Sequence, residues 1–158
     1  MKRIFWCITL FALMMLAGCG SAADTGTVSV PQETEQENSE EEISMRIFIG
    51  DTEVAVVWED NDAVETLREM TAQGGVAIAM ERYGGWEQVG SIGRALPRQD
   101  TQTTAQPGDI MLYSGDQMVV FYGTNSWSYT RLGHITDRSG EELKDLLGQE
   151  DVTVRLER

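Results

Sequence analysis

The sequence predicts a mainly β domain closed into a barrel, with two short helices at its ends. Residues 46–158 divide into seven or eight short runs rich in Val, Ile, Phe, Tyr, Trp and Thr, parted by turn signals built on Gly, Asp and Asn. Only two segments in that stretch carry helical periodicity, and capping residues bound each of them. So many short strands would also present many open edges unless the sheet closed on itself. An open sandwich is the alternative architecture for the same pattern.

Taken in order, Arg46–Ile49 and Val54–Trp58 are β-rich runs, with a hairpin signal at Gly50-Asp51-Thr52-Glu53 between them. Asp62 and Glu65 form a capping pair for a helix whose stripe is Ala63, Val64, Leu67, Met70 and Thr71. Gly74-Gly75 ends it, since glycine accepts the left-handed backbone of a helix C-terminus. Val76–Tyr83 is a further strand, and Glu87–Ile92 is a short one. Residues 93–108 read as a polar loop, long enough to carry function. Ile110–Tyr113 and Met118–Tyr122 are apolar strands joined by Ser114-Gly115-Asp116-Gln117, and Trp127–Leu132 is a third. Ser139 and Glu142 make a capping box for a helix carrying Leu143, Leu146 and Leu147 and closed by Gly148. Val152, Val154 and Leu156 alternate with polar residues as the last strand.

The residues ahead of that domain differ sharply from it. Met1-Lys2-Arg3 is basic, and Ile4 to Leu16 is apolar except for Thr9, a run suited to a signal peptide and short for a spanning helix. It ends in Leu16-Ala17-Gly18-Cys19, which resembles the signal of bacterial lipoproteins. The resemblance implies cleavage after Gly18, a leader of residues 1–18, a lipid on Cys19, and a membrane-anchored protein facing outside the cytoplasm. Residues 19–45 then hold Glu33, Glu35, Glu37, Glu40, Glu41 and Glu42 with no basic residue among them. That composition cannot bury enough apolar area to offset ordering entropy, so it predicts a disordered acidic tether.

Charge and cysteine content exclude several functions. Lys and Arg number 12 against 26 Asp and Glu, a formal net charge of −14. Such acidity opposes nucleic acid, whose phosphates would be repelled. Both cysteines, Cys7 and Cys19, precede the domain, which leaves it no thiol for a disulfide, a metal or a nucleophile. His134 is the only histidine, so neither a triad nor a transition-metal site is expected. No glycine-rich phosphate loop and no cofactor motif is present.

The stretch GDIMLYSGDQMVVFYGTNSWSYTRLGHI, preceded by RALP and a polar loop, resembles the cyclophilin-like domains of bacterial proteins. The resemblance runs from Met45 to Leu156, and Phe121 to Gly133 is its most specific piece. It implies an eight-stranded cyclophilin-type barrel with two helices. It also implies partnership with flavodoxin-type reductases, to which such domains are sometimes joined. Prolyl isomerase activity is not implied, because cyclophilins set an Arg beside a Phe-Met floor and a Gln, and that arrangement does not occur here.

Trp127, Tyr129 and Arg131 share one face of their strand, because strand side chains alternate. They suit a ligand groove in which aromatics stack and Arg131 holds a carboxylate. They equally suit a ladder in which the rings pack on neighbours and the guanidinium lies across one. Tyr122, Asn125 and Arg94 complete the candidate ligand set, and Asp109 is read as a turn cap. The expected function is a non-catalytic, membrane-anchored module that binds a small molecule or peptide. The alternative is a prolyl isomerase using the barrel's groove.

Overall fold

The computed structural model describes residues 45–158; the leader, Cys19 and the acidic run up to residue 44 lie outside the described residues. The chain runs β1 (Arg46–Ile49), β2 (Thr52–Val54), β3 (Val56–Trp58), α1 (Asp62–Ala72), β4 (Val76–Ala79), β5 (Glu81–Tyr83) and β6 (Glu87–Ser91). It continues with β7 (Thr101–Ala105), β8 (Asp109–Tyr113), β9 (Gln117–Phe121), β10 (Asn125–Ile135), α2 (Gly140–Leu147) and β11 (Thr153–Glu157). The domain is mainly β with two helices, as expected.

The closed barrel is not found. The strands form two sheets, one of order β2-β1-β11-β4 and one of order β3-β10-β8-β9-β6-β5, with β7 added alongside β10. Neither sheet closes on itself, and eleven strands stand where about eight were expected. The physical reason lies in two runs that read as single strands. Val54–Trp58 breaks at Ala55 and Val76–Tyr83 breaks at Met80, and in each the two halves belong to different sheets. Chain corners of this kind let sheets pack face to face without joining their edges.

The core fills the space between the sheets. Ile47, Ile49, Ile78, Val154 and Leu156 come from the smaller sheet, and Ile110, Leu112, Met118, Val120, Leu132 and Ile135 from the larger. Helix α1 adds Ala63, Val64 and Leu67, and α2 adds Leu143 and Leu147. Each of these side chains except Ala63 gives about 1.5–3 kcal/mol on leaving water. Met45, placed by the sequence at the end of the tether, is buried in this core, and its carbonyl accepts a hydrogen bond from Trp58 Nε1 at 3.0 Å.

Local chemistry explains the helix ends. Asn61, one residue earlier than expected, caps α1 by accepting from the Val64 amide at 3.1 Å. Its own amide donates to the Arg131 carbonyl, so the cap also ties α1 to β10. In α2 the capping box of Ser139 and Glu142 forms as the sequence predicts. Gly90 marks a close approach of the sheets: a Cβ there would collide with the Ala79 carbonyl oxygen.

The polar loop of residues 93–108 contains a strand, β7, which pairs antiparallel with the first five residues of β10. Beyond Tyr129, β10 passes to new partners, β8 through Thr130–His134 and β3 through Gly133–Ile135, with a bulge between Arg131 and Gly133. One long strand therefore belongs first to a two-stranded ribbon and then to the larger sheet.

Candidate functional site

Strands β8 and β9 are apolar on both faces. Ile110, Leu112, Met118 and Val120 enter the central core, while Met111, Val119 and Phe121 point away from it into a second cluster with Ala105 and Tyr129. Val89 of β6 and Tyr113 of β8 border this outer cluster. Tyr129 sits edge-on to two rings, Phe121 at 5.6 Å and Tyr113 at 6.2 Å between centroids. The ribbon crosses this outer face: Asn125 at its start meets Glu87 of β6, although β8 and β9 lie between β10 and β6 in the sheet.

Between the ribbon and the sheet lies a pocket of about 480 Å³, lined by Tyr83, Glu87, Val89, Tyr113, Gln117, Val119, Asn125, Trp127 and Tyr129. Its volume falls within the roughly 300–1,000 Å³ of small-molecule sites. Tyr83 and Trp127 are 66% and 56% exposed, whereas Tyr129 is buried among its neighbouring rings.

Glu87 is the one charged residue of the lining. It is 5% exposed, and its Oε2 has no hydrogen-bond partner. Burial pushes its carboxyl above the ordinary value, opposed by a side-chain hydrogen bond with Asn125. The Tyr129 hydroxyl is pushed up to about 12, first by burial and then by the nearby Glu87 charge. The Asn125 amide donates to that hydroxyl at 3.2 Å, which leaves the phenol proton available to donate elsewhere.

Of the six candidate ligand residues, Asn125, Trp127 and Tyr129 line the pocket together. Tyr122 does not, because it continues the alternation of Met118 and Val120 and turns into the central core. Arg94 is exposed on the segment after β6 and lies off the lining. Arg131 is held elsewhere by the buried Asp109, whose Oδ1 accepts from Arg131 Nη1 at 2.7 Å and is 2.8 Å from His134 Nδ1. Asp109 Oδ2 accepts from the Gln106 amide at 2.9 Å, the turn-capping role that the sequence assigns it. Glu87, Tyr83, Tyr113 and Gln117 escaped sequence reasoning. The one signal for Glu87 was a carboxylate inside a predicted strand. Among the described residues no group of three or more His, Cys, Asp or Glu side chains is placed to hold a metal ion.

A search of curated proteins returned no match. Among solved structures, that of McbB in complex with tryptophan is similar, with a TM-score of 0.54 at 14% identity over 73% of this chain. The match covers 44% of the McbB chain, so this chain spans less than half that protein's length and the likeness is one of fold. The model of the cyclophilin-like family matches residues 47–157. That span takes in both sheets, both helices and every residue of the pocket, and the chain belongs to the cyclophilin-like family.

Proposed function

We propose that this domain is a binding module for a small organic molecule with an aromatic or flat apolar body, seated between the ribbon and the outer face of the larger sheet. The observation that carries the reading is the pocket's rim. Tyr83 and Trp127 hold large apolar rings in water beside a concave, ring-lined wall. Such exposed aromatic area marks interaction sites. The McbB likeness supports it to the extent that a protein of related fold holds tryptophan, a molecule of suitable size.

The module is read as non-catalytic. A prolyl isomerase needs a hydrogen-bond donor fixed over an apolar floor, because only interactions stronger in the transition state speed the step. No arginine lines this pocket, and Arg131 is paired with Asp109. The protein as a whole is proposed to be held at the outer surface of the membrane by lipid on Cys19, with residues 20–44 as an extended tether. Cys19→Ala should abolish incorporation of labelled palmitate, and equal labelling would remove the anchor.

A thermal-shift screen of small aromatic compounds tests the binding role, since ligands of the native state raise its melting temperature by mass action. Hits should lose affinity in Trp127→Ala and Tyr83→Ala variants that keep their stability. Hits indifferent to both substitutions would move the site elsewhere. In an exchange assay on proline tetrapeptides the protein should give the uncatalysed rate.

A further inference from the structure

We infer that the pocket's ligand is an organic cation, an amine or ammonium group on an aromatic body, with Glu87 as its counter-ion. The inference rests on the pocket being the ligand site and adds the charge of what fills it. Buried polar atoms are almost always hydrogen-bonded, and buried carboxylates are paired. Glu87 Oε2 is an exception, closed off from water with no partner, on a side chain that lines the pocket.

The protein supplies no cation for it. None of the ion pairs among the described residues involves Glu87, and no lysine or arginine lines the pocket. Arg82 on the neighbouring strand lies with its Nε 3.6 Å from Asp151 and its Nη1 3.5 Å from the Gly148 carbonyl. A cation carried by the ligand would supply the charge that the protein does not.

The remaining lining agrees. Tyr83, Tyr113, Trp127 and Tyr129 present π-systems, whose negative faces attract ammonium groups while their carbon surface takes the apolar body. An anion would meet the Glu87 charge with no guanidinium or ammonium to offset it. The field of the domain points the same way, since from Met45 onward ten basic side chains face nineteen acidic ones.

The test uses three probes of one shape and different charge on the full chain at pH 7: 2-phenylethylamine, 2-phenylethanol and 3-phenylpropionate. Calorimetric titration should rank the amine first, the alcohol second and the acid last. Glu87→Gln, close in shape, should weaken the amine roughly ten- to a hundredfold and leave the alcohol unchanged. If the alcohol or the acid binds as tightly as the amine, the cation assignment is overturned and the pocket stands. Equal loss of amine and alcohol in Glu87→Gln would likewise overturn the counter-ion role. If none of the three binds, the pocket reading falls and the inference with it.

Discussion

Glu87 shows how a single side chain can work against the fold that holds it. Its carboxyl is raised above the ordinary 4.5 by burial, so the folded state keeps a proton that the unfolded chain gives up. Below the unfolded value both states are protonated and nothing is lost. As pH rises through the window above 4.5, the folded state must ionise a buried group, and stability falls. Glu87→Gln should therefore match the wild type near pH 4 and be more stable at pH 7. Melting curves at the two pH values check this, and a constant difference between the proteins would contradict it. Arg131 has the opposite role. Replacing it with Ala strips one partner from the buried Asp109 carboxylate, so stability should drop by roughly 1–3 kcal/mol while ligand affinity holds. Neither role was legible from the chain itself. Glu87 meets Asn125 across two intervening strands, and Arg131 meets Asp109 only once β8 and β10 pair in their bulged register.

At the level of elements, what the sequence showed and what it hid have separate physical causes. Strands β8 and β9 announce themselves as unbroken apolar runs, and for that reason they conceal which side faces the core. A strand buried on both faces has no polar alternation to read. Strand β7, Thr-Gln-Thr-Thr-Ala, is hidden for the converse reason: it pairs with β10 alone and buries only Ala105 fully. Trp127 and Tyr129 were legible because alternation along β10 put two rings on one side. The helices were the plainest, since a cap and a stripe are local; even so the α1 cap falls on Asn61 where Asp62 was expected. Gly90 was silent in the sequence and is decisive in the packing. Adding a methyl there drives it into the Ala79 backbone, so Gly90→Ala should cost about 1–3 kcal/mol, measured by urea denaturation. A neutral result would mean that β4 and β6 can part more readily than their packing implies.

For the whole molecule, the mainly β class and the family were legible and the closure was not. A strand count cannot distinguish one closed sheet from two packed ones, because the corners at Ala55 and Met80 carry no turn signal. Met45, the first described residue, is already buried in the core. Brief proteolysis of the full protein should trim the proposed tether and stop close to Met45. Cleavage deep within residues 46–158 at the same rate would argue against that boundary. Strand β10 carries the last consequence. Up to Tyr129 the strand pairs with β7 alone in a largely exposed ribbon, with the Ser126 amide donating to Asn125 Oδ1, whereas from Thr130 onward it pairs with strands of the larger sheet. One strand therefore has two opening free energies, and hydrogen–deuterium exchange should find a fast half and a slow half within eleven residues. A molecule gripping Trp127 and Tyr129 would slow the fast half toward the other. Exchange at Ser126–Ser128 is thus a readout of occupancy that needs neither a label nor an assay of activity.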